Sequence, residues 1–166
     1  MAVTVTLVVG QDGSTSKDGT SAGVSNKADR TAFLARRRNA DCILIGGSTA
    51  RLEPYHKTPV PVVVVSRSLI NPLADNRLAH CWNLSPIDAL DRAIKTFGGT
   101  VHIEAGISIV NELIAAGRVD LLELSITDVV GGEHPVNIEA LLSNFAIAHD
   151  ETIEGTRFIS AVKAGV

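Results

Sequence analysis

Apolar residues along this chain fall in short dense runs separated by stretches with helical spacing. Val3 to Val9 is the first run and predicts a strand. Cys42 to Ile45 and Val60 to Val65 predict two more, too apolar for strands with one solvated face. Between the first two, Lys27 to Arg38 has helical spacing, with Ala28, Phe33, Leu34 and Ala35 apolar. Arg36, Arg37 and Arg38 end it, where cations complement a helix dipole. Pro86 to Phe97 predicts a helix with Asp88 and Asp91 early, Lys95 late and Gly98-Gly99 as its stop. A strand at Val101 to Glu104, a helix at Ile107 to Ala116 closed by Gly117, and a strand at Leu121 to Ile126 follow. Phe145 to His149 and Arg157 to Ala161 predict late strands joined at Glu154-Gly155. Strand-helix-strand units come first and a hairpin last. The pattern predicts one α/β domain over residues 1–166. Its central sheet is mostly parallel, with helices on both faces and a C-terminal antiparallel hairpin.

One segment breaks the rhythm. Gln11 to Ser25 is rich in Gly, Ser and Thr and predicts a long loop, and loops of that length are usually functional or disordered.

Composition narrows the field. The chain is 45% hydrophobic but only 4% aromatic, so its core is aliphatic, as buried parallel strands require. A net charge of −3 leaves no broad basic field for nucleic acid. An anionic ligand has to be captured locally, by helix N-termini or a few arginines. Cys42 and Cys81 make neither a disulfide framework nor a metal-ligand spacing, and the five histidines show no ligand spacing, so no metal is assigned. Cys42, inside an apolar run, reads as a buried thiol. Met1 to Gly10 has no basic region ahead of its apolar run, and nothing approaches the roughly 18 apolar residues of a membrane span. The expectation is a cytoplasmic protein without a membrane partner.

Chemistry gathers at strand ends, where open α/β sheets bind ligands. Gly46-Gly47-Ser48-Thr49 ends the second strand, and its glycines allow close backbone approach to a phosphate; an ordinary strand-to-helix turn reads the same way. Ser66-Arg67-Ser68 ends the third and offers two hydroxyls and a guanidinium, suited to a terminal phosphate or merely to a surface turn. Glu104-Ala105-Gly106 sets a carboxylate beside a helix start, as a functional acid or a solvated cap. Gly131-Gly132 is a further glycine pair after a strand, or a plain turn. The fingerprint G-x-G-x-x-G is absent, so the usual dinucleotide-binding Rossmann version is not supported.

Several segments together carry a resemblance. They are Val5-Thr6-Leu7 with Asp12-Gly13, Ala40-Asp41-Cys42-Ile43-Leu44-Ile45-Gly46-Gly47-Ser48-Thr49, His102-Ile103-Glu104-Ala105-Gly106, and Leu113 to Asp120. Over nearly the whole chain the sequence resembles the dihydrofolate-reductase-like superfamily, and within it the reductase domain of riboflavin biosynthesis proteins, the 5-amino-6-(5-phosphoribosylamino)uracil reductases. The resemblance implies NADPH as hydride donor, a small-molecule substrate reduced from ribosyl to ribityl, and a homodimer. It implies cofactor contacts at Gly46, Gly47, Ser48, Thr49, Ala105, Gly106, Gly131 and Gly132. Ser66 and Arg67 match a Ser-Arg near the adenosine 2′-phosphate, which implies NADPH over NADH. Ser25, Glu53 and Glu104 fall on the substrate side. Asp12 matches the family's Asp-Gly and joins Glu104 and Glu53 as the catalytic candidates. The nicotinamide is expected between the Gly46–Thr49 and Glu104–Gly106 turns, with the Asp12–Ser25 loop closing as a lid.

The sequence also departs from the family. Val8 stands where the family carries a substrate-contacting Lys, Ala105 replaces a glycine, and Glu53 replaces an Asp. These changes keep two alternatives open: a related reductase with another substrate, and a silent NADPH-binding protein. A fold relic that binds neither ligand is a further one.

Overall fold

A computed structural model describes residues 1–165. Eight strands form in the order β1 (Ala2–Val9), β2 (Cys42–Gly46), β3 (Val62–Val65), β4 (Ala79–Trp82), β5 (Thr100–Ile103), β6 (Leu121–Ile126), β7 (Phe145–Ile153) and β8 (Thr156–Lys163). Five α-helices accompany them: α1 (Lys27–Arg37), α2 (Gly47–Leu52), α3 (Pro86–Phe97), α4 (Ile107–Ala115) and α5 (Ile138–Leu142). The result is an α/β fold whose sheet is mostly parallel and ends in an antiparallel hairpin. The chain divides into two compact units, with β1 contributing to both.

The first unit comprises Met1–Val5 and Arg36–Val119. Its strands run β4-β3-β2-β5-β1, all parallel, with Ile43 opposite Val62 and Leu44 opposite Ile103. Every residue of β2 and β3 is buried, as their unbroken apolar runs require. Ile43, Ile45, Val62, Val64 and Leu73 pack with Ala50 and Tyr55 into one core cluster. Helix α3 forms where predicted. The Ser85 hydroxyl accepts from the Asp88 amide at 3.1 Å, Pro86 takes the first turn, and Ala89, Leu90 and Ala93 are buried. Gly98 stops the helix at φ +132°, and a side chain there would run into the Asp41 carboxylate.

The second unit comprises Thr6–Ala35 and the chain from Asp120 onward. Its strand order is β1-β6-β8-β7, and β8 is antiparallel to both neighbours. The hairpin turns at Glu154 and Gly155, both at positive φ, the twist a two-residue β-turn needs.

Three elements escape the hydrophobic pattern. Strand β4, Ala-His-Cys-Trp, is four residues long and half-buried, and only β3 pairs with it. Helix α2 begins on the glycines read as a turn, and α5 is a five-residue helix capped by Asn137. The late strands run past the expected ends at His149 and Ala161. The added part of β7, Asp150 to Ile153, is exposed, so burial leaves no mark on its sequence. Ladder pairing holds it, with Arg157 donating to Asp150 at 2.9 and 2.6 Å.

Candidate functional site

In the first unit, the ends of β2 and β3 lie side by side, with Gly46 opposite Val65. A Cβ on Gly47 would lie 3.0 Å from the Ser66 hydroxyl and 3.1 Å from Arg51 Nη1, which brings Gly47, Ser66 and Arg51 into one cluster. A Cβ on Gly46 would meet Ile109 at 2.9 Å. A Cβ at either glycine would crowd the end of a side chain, Ile109 at Gly46 and Ser66 or Arg51 at Gly47, and neither position has a positive φ. Arg51 Nη2 donates to the Ser48 hydroxyl at 3.4 Å. The loop after β3 folds on its own hydroxyls: Ser66 accepts from the Ser68 amide at 3.1 Å, and Ser68 from the Ile70 amide at 3.2 Å. Arg67, on this loop, is exposed and makes no hydrogen bond or ion pair among the described residues. Thr49 accepts through its carbonyl from the Glu53 amide at 2.9 Å, which seats the half-buried Glu53 at the end of α2. A hydroxyl and a guanidinium meet at Gly47, with Arg67 next to Ser66 in sequence, and such donors suit the oxygens of an anion. Arg51 had no signal in the sequence reading, because its relation to Gly47 exists only once α2 forms.

Glu104 follows β5 and is buried. Arg37 donates to its carboxylate from Nη2 at 2.7 Å and from Nε at 3.3 Å, and the Tyr55 hydroxyl donates at 2.6 Å. The Arg37 guanidinium also lies 5.2 Å from the Tyr55 ring centre. Burial first, and then the Glu104 charge, push the Tyr55 hydroxyl well above its ordinary range, so it stays protonated and donating. Three donors fix the Glu104 carboxylate in one orientation. Neither partner was assigned to this site from sequence, where Arg37 read as dipole complement. Ala105 is buried and Gly106 exposed at the start of α4; Gly106 has φ −63° and open space about it.

The other predicted residues belong to the second unit. The Asp12 carboxylate accepts from the Ser14 hydroxyl at 2.6 Å, the Ser14 amide at 3.1 Å and the Gly131 amide at 2.8 Å. These bonds, the Ser14 hydroxyl first, hold Asp12 at a pKa of about 2, below its ordinary 3.8. It is thus an ionised anchor rather than a proton donor near neutrality. Gly131 adopts φ +77°, and Gly132 donates to the Ser14 hydroxyl at 3.1 Å. Ser25 donates its hydroxyl to the buried Asp29 at 2.5 Å.

The Gln11–Ser25 loop is not a free lid. Ser16 and Glu133 exchange backbone hydrogen bonds, Lys17 donates to the Val130 carbonyl, and the Val136 amide donates to the Gly13 carbonyl. The Glu133 carboxylate accepts from the Ser16 hydroxyl at 3.0 Å, the Asp18 amide at 3.0 Å and the Gly19 amide at 3.4 Å. The glycines of this loop show in the sequence, but the residues that tie it down lie more than a hundred positions away.

No group of three or more His, Cys, Asp or Glu able to hold a metal occurs among the described residues. No helix among them is long and apolar enough to cross a membrane.

Comparison with known proteins places these features in a family. Among solved structures, a putative riboflavin biosynthesis protein from Shewanella sp. PV-4 is similar at TM-score 0.76 and 18% identity, over 99% of this chain and 100% of that one. A pyrimidine reductase-like protein from Corynebacterium diphtheriae is similar at TM-score 0.73 and 15% identity, over 99% and 92%. The diaminohydroxyphosphoribosylaminopyrimidine deaminase/5-amino-6-(5-phosphoribosylamino)uracil reductase of Thermotoga maritima is similar at TM-score 0.73 and 13% identity. That match covers 98% of this chain and 56% of that one, so the chain spans little more than half of that protein. At such identities the likeness establishes the fold. No curated protein matches the chain. The family model described as RibD C-terminal domain matches residues 1–149, which takes in all of β1 to β6 and the start of β7. The chain belongs to the RibD C-terminal domain family, with its dihydrofolate-reductase-like fold.

Proposed function

We propose that this protein is an NADPH-dependent reductase of a phosphorylated ribosylamino-pyrimidine, acting as a homodimer in the cytoplasm. The observation that carries the reading is the cluster of Gly47, Ser66 and Arg51, with Arg67 on the same short loop. Its donors suit the 2′-phosphate that distinguishes NADPH from NADH. Family membership and the riboflavin-pathway titles of the similar structures supply the reaction class.

NADPH, when bound, supplies the hydride. The chain's own residues have other tasks. Gly46 and Gly47 let the backbone approach closely, and Ser48, Thr49, Ser66, Arg51 and Arg67 hold anionic oxygens. Ala105, Gly106, Gly131 and Gly132 complete the proposed cofactor contacts. Glu53 and Ser25 orient substrate hydroxyls. Glu104 acts from a fixed position set by Arg37 and Tyr55, and Asp12 holds its loop in register for the substrate.

Equilibrium titration tests the cofactor reading. Arg67→Ala should weaken NADPH by about 10- to 100-fold, the loss of one or two charge-assisted bonds. NADH binding should change by less than about threefold. Equal weakening of both would refute it. Turnover is tested by NADPH oxidation with the phosphoribosylamino-pyrimidine as substrate. A reductase for another small carbonyl compound is the second reading, favoured by Val8, half-buried in β1 where the family it resembles carries Lys. The same assay with dihydrofolate and small carbonyls separates the two.

A further inference from the structure

Two irregular segments of the first unit are joined through one buried carboxamide. Residues 53–61 link α2 to β3, and residues 66–78 link β3 to β4. The first segment buries only Tyr55 and Thr58, and the second only Leu73 and Asn76. A buried polar side chain in an exposed loop asks for a reason, because it must find partners for every donor and acceptor.

Asn76 finds them all. Its Nδ2 donates to the Tyr55 carbonyl at 2.9 Å and to the Thr58 hydroxyl at 3.1 Å, and its Oδ1 accepts from the Leu78 amide at 2.9 Å. Its own amide donates to the Leu73 carbonyl at 2.9 Å, and its carbonyl accepts from the Ala79 amide at 3.0 Å. The partners settle which way the carboxamide points, since a carbonyl only accepts and an amide N–H only donates. Aspartate would keep the turn to Leu78 but bring no donor to Tyr55.

Tyr55 depends on that donor. No helix or strand holds residues 53–61, and a buried carbonyl without a partner is costly. The Tyr55 amide donates to the Glu53 carbonyl at 3.0 Å, and its carbonyl is met by Asn76. Its ring packs in the cluster of Ile43, Ile45, Val62, Val64 and Leu73, and its hydroxyl donates to Glu104 at 2.6 Å. One buried side chain therefore runs from Asn76 at its main-chain end to Glu104 at its phenol end. A neighbouring link between the two segments, from His56 Nδ1 to the Asp75 carboxylate at 2.8 Å, is exposed and does not involve Tyr55.

We propose that Asn76 is a positioning residue of the candidate site: it fixes the main chain at Tyr55 and, through the Tyr55 hydroxyl, sets the orientation in which Glu104 meets the substrate. The inference rests on the proposed substrate-side role of Glu104.

Tyr55 is the single tyrosine of the chain, so near-ultraviolet tyrosinate absorbance reads its ionisation alone. Wild type should form tyrosinate only well above the ordinary 10, because burial and then the Glu104 charge disfavour the phenolate. In Asn76→Ala, tyrosinate should appear at least about one pH unit lower while circular dichroism still shows a folded chain. Asp75→Ala cuts the neighbouring surface link, and Leu90→Ala destabilises the unit from α3; both should keep the wild-type titration. NADPH oxidation with the phosphoribosylamino-pyrimidine reads the site itself. There kcat should fall about 10-fold or more in Asn76→Ala, with KM for NADPH changed less than about threefold. Tyr55→Phe should lower kcat similarly, and adding Asn76→Ala to it should lower kcat no further. Should Asn76→Ala fail to fold, Asn76→Ser, one atom shorter but still an acceptor for the Leu78 amide, should show the same two changes. A wild type without turnover refutes the reductase reading and leaves the titration to decide the anchor. A wild-type Tyr55 titration in the Asn76 variants overturns the proposal, as does an equal shift in Leu90→Ala or an unchanged kcat in active protein.

Discussion

Replacing Glu104 with Gln puts the buried ion pair to a quantitative test. The side chain keeps its length and one carbonyl oxygen for Tyr55, but Arg37 loses its counter-ion. Both partners are almost fully buried, with side-chain exposures of 7% for Arg37 and 3% for Glu104. Breaking such a pair from one side costs about 3–5 kcal/mol, chiefly because the remaining charge stays buried. Gln still accepts from Tyr55, so the lower half of that range, about 3 kcal/mol, is the expected loss. For a chain of this size that is a fall in Tm of roughly 6–12 °C. Adding Arg37→Met should recover part of the loss, since the double variant leaves no lone charge at this pair, and the pair should be far from additive. Urea unfolding of the four proteins at pH 7 gives the coupling energy directly. A Glu104→Gln variant within about 1 kcal/mol of wild type would refute the buried-pair argument. So would a double variant that is less stable than Glu104→Gln by the full cost of Arg37→Met. The same four proteins address function, because a carboxylate that only positions its neighbours loses KM or kcat in step with Arg37, whereas one that touches substrate does not.

The second unit supplies two further tests. Asp12 has a folded pKa of about 2 against an ordinary 3.8, so the stability it contributes is complete above about pH 4 and is lost as the pH falls toward 2. Asp12→Asn should flatten that part of the acid limb in a Tm-versus-pH series; an unchanged limb would count against the Ser14 and Gly131 bonds. Glu133→Ala removes the acceptor for Ser16, Asp18 and Gly19. It should speed hydrogen exchange at the Asp18 and Gly19 amides at least tenfold while leaving β5 amides unchanged, and equal protection in both proteins would show that the backbone bridge alone holds the loop.

What the sequence disclosed follows from which forces leave a local trace. Burial does, so β2, β3 and α3 were legible from runs, spacing and caps. Strand β4 was not, because four half-buried residues that pair on one side carry no alternation. The far half of β7 was not, because ladder bonds hold exposed residues there without selecting for an apolar face. The candidate site divides in the same way. Gly46, Gly47, Ser66 and Arg67 sit at strand ends, and strand ends can be read. Arg37 and Tyr55 act on Glu104 from 67 and 49 positions away, and Glu133 acts on the Ser16–Gly19 turn from more than 110 away. No periodicity encodes such a pairing.

The three arginines at the end of α1 make the same point at closer range. In sequence they are one basic run, and the helix dipole accounts for them equally well. In the fold Arg38 is exposed, Arg37 closes a buried ion pair, and Arg36 is half-exposed, with its Nε and Nη2 meeting no acceptor among the described residues. A helix advances about 100° per residue, so adjacent side chains leave it in different directions. Dipole complementarity needs only positive charge near the terminus and would be served by three solvated lysines. It gives no reason for the three to differ; what separates them is burial and partner, and the buried ion pair to Glu104 belongs to Arg37.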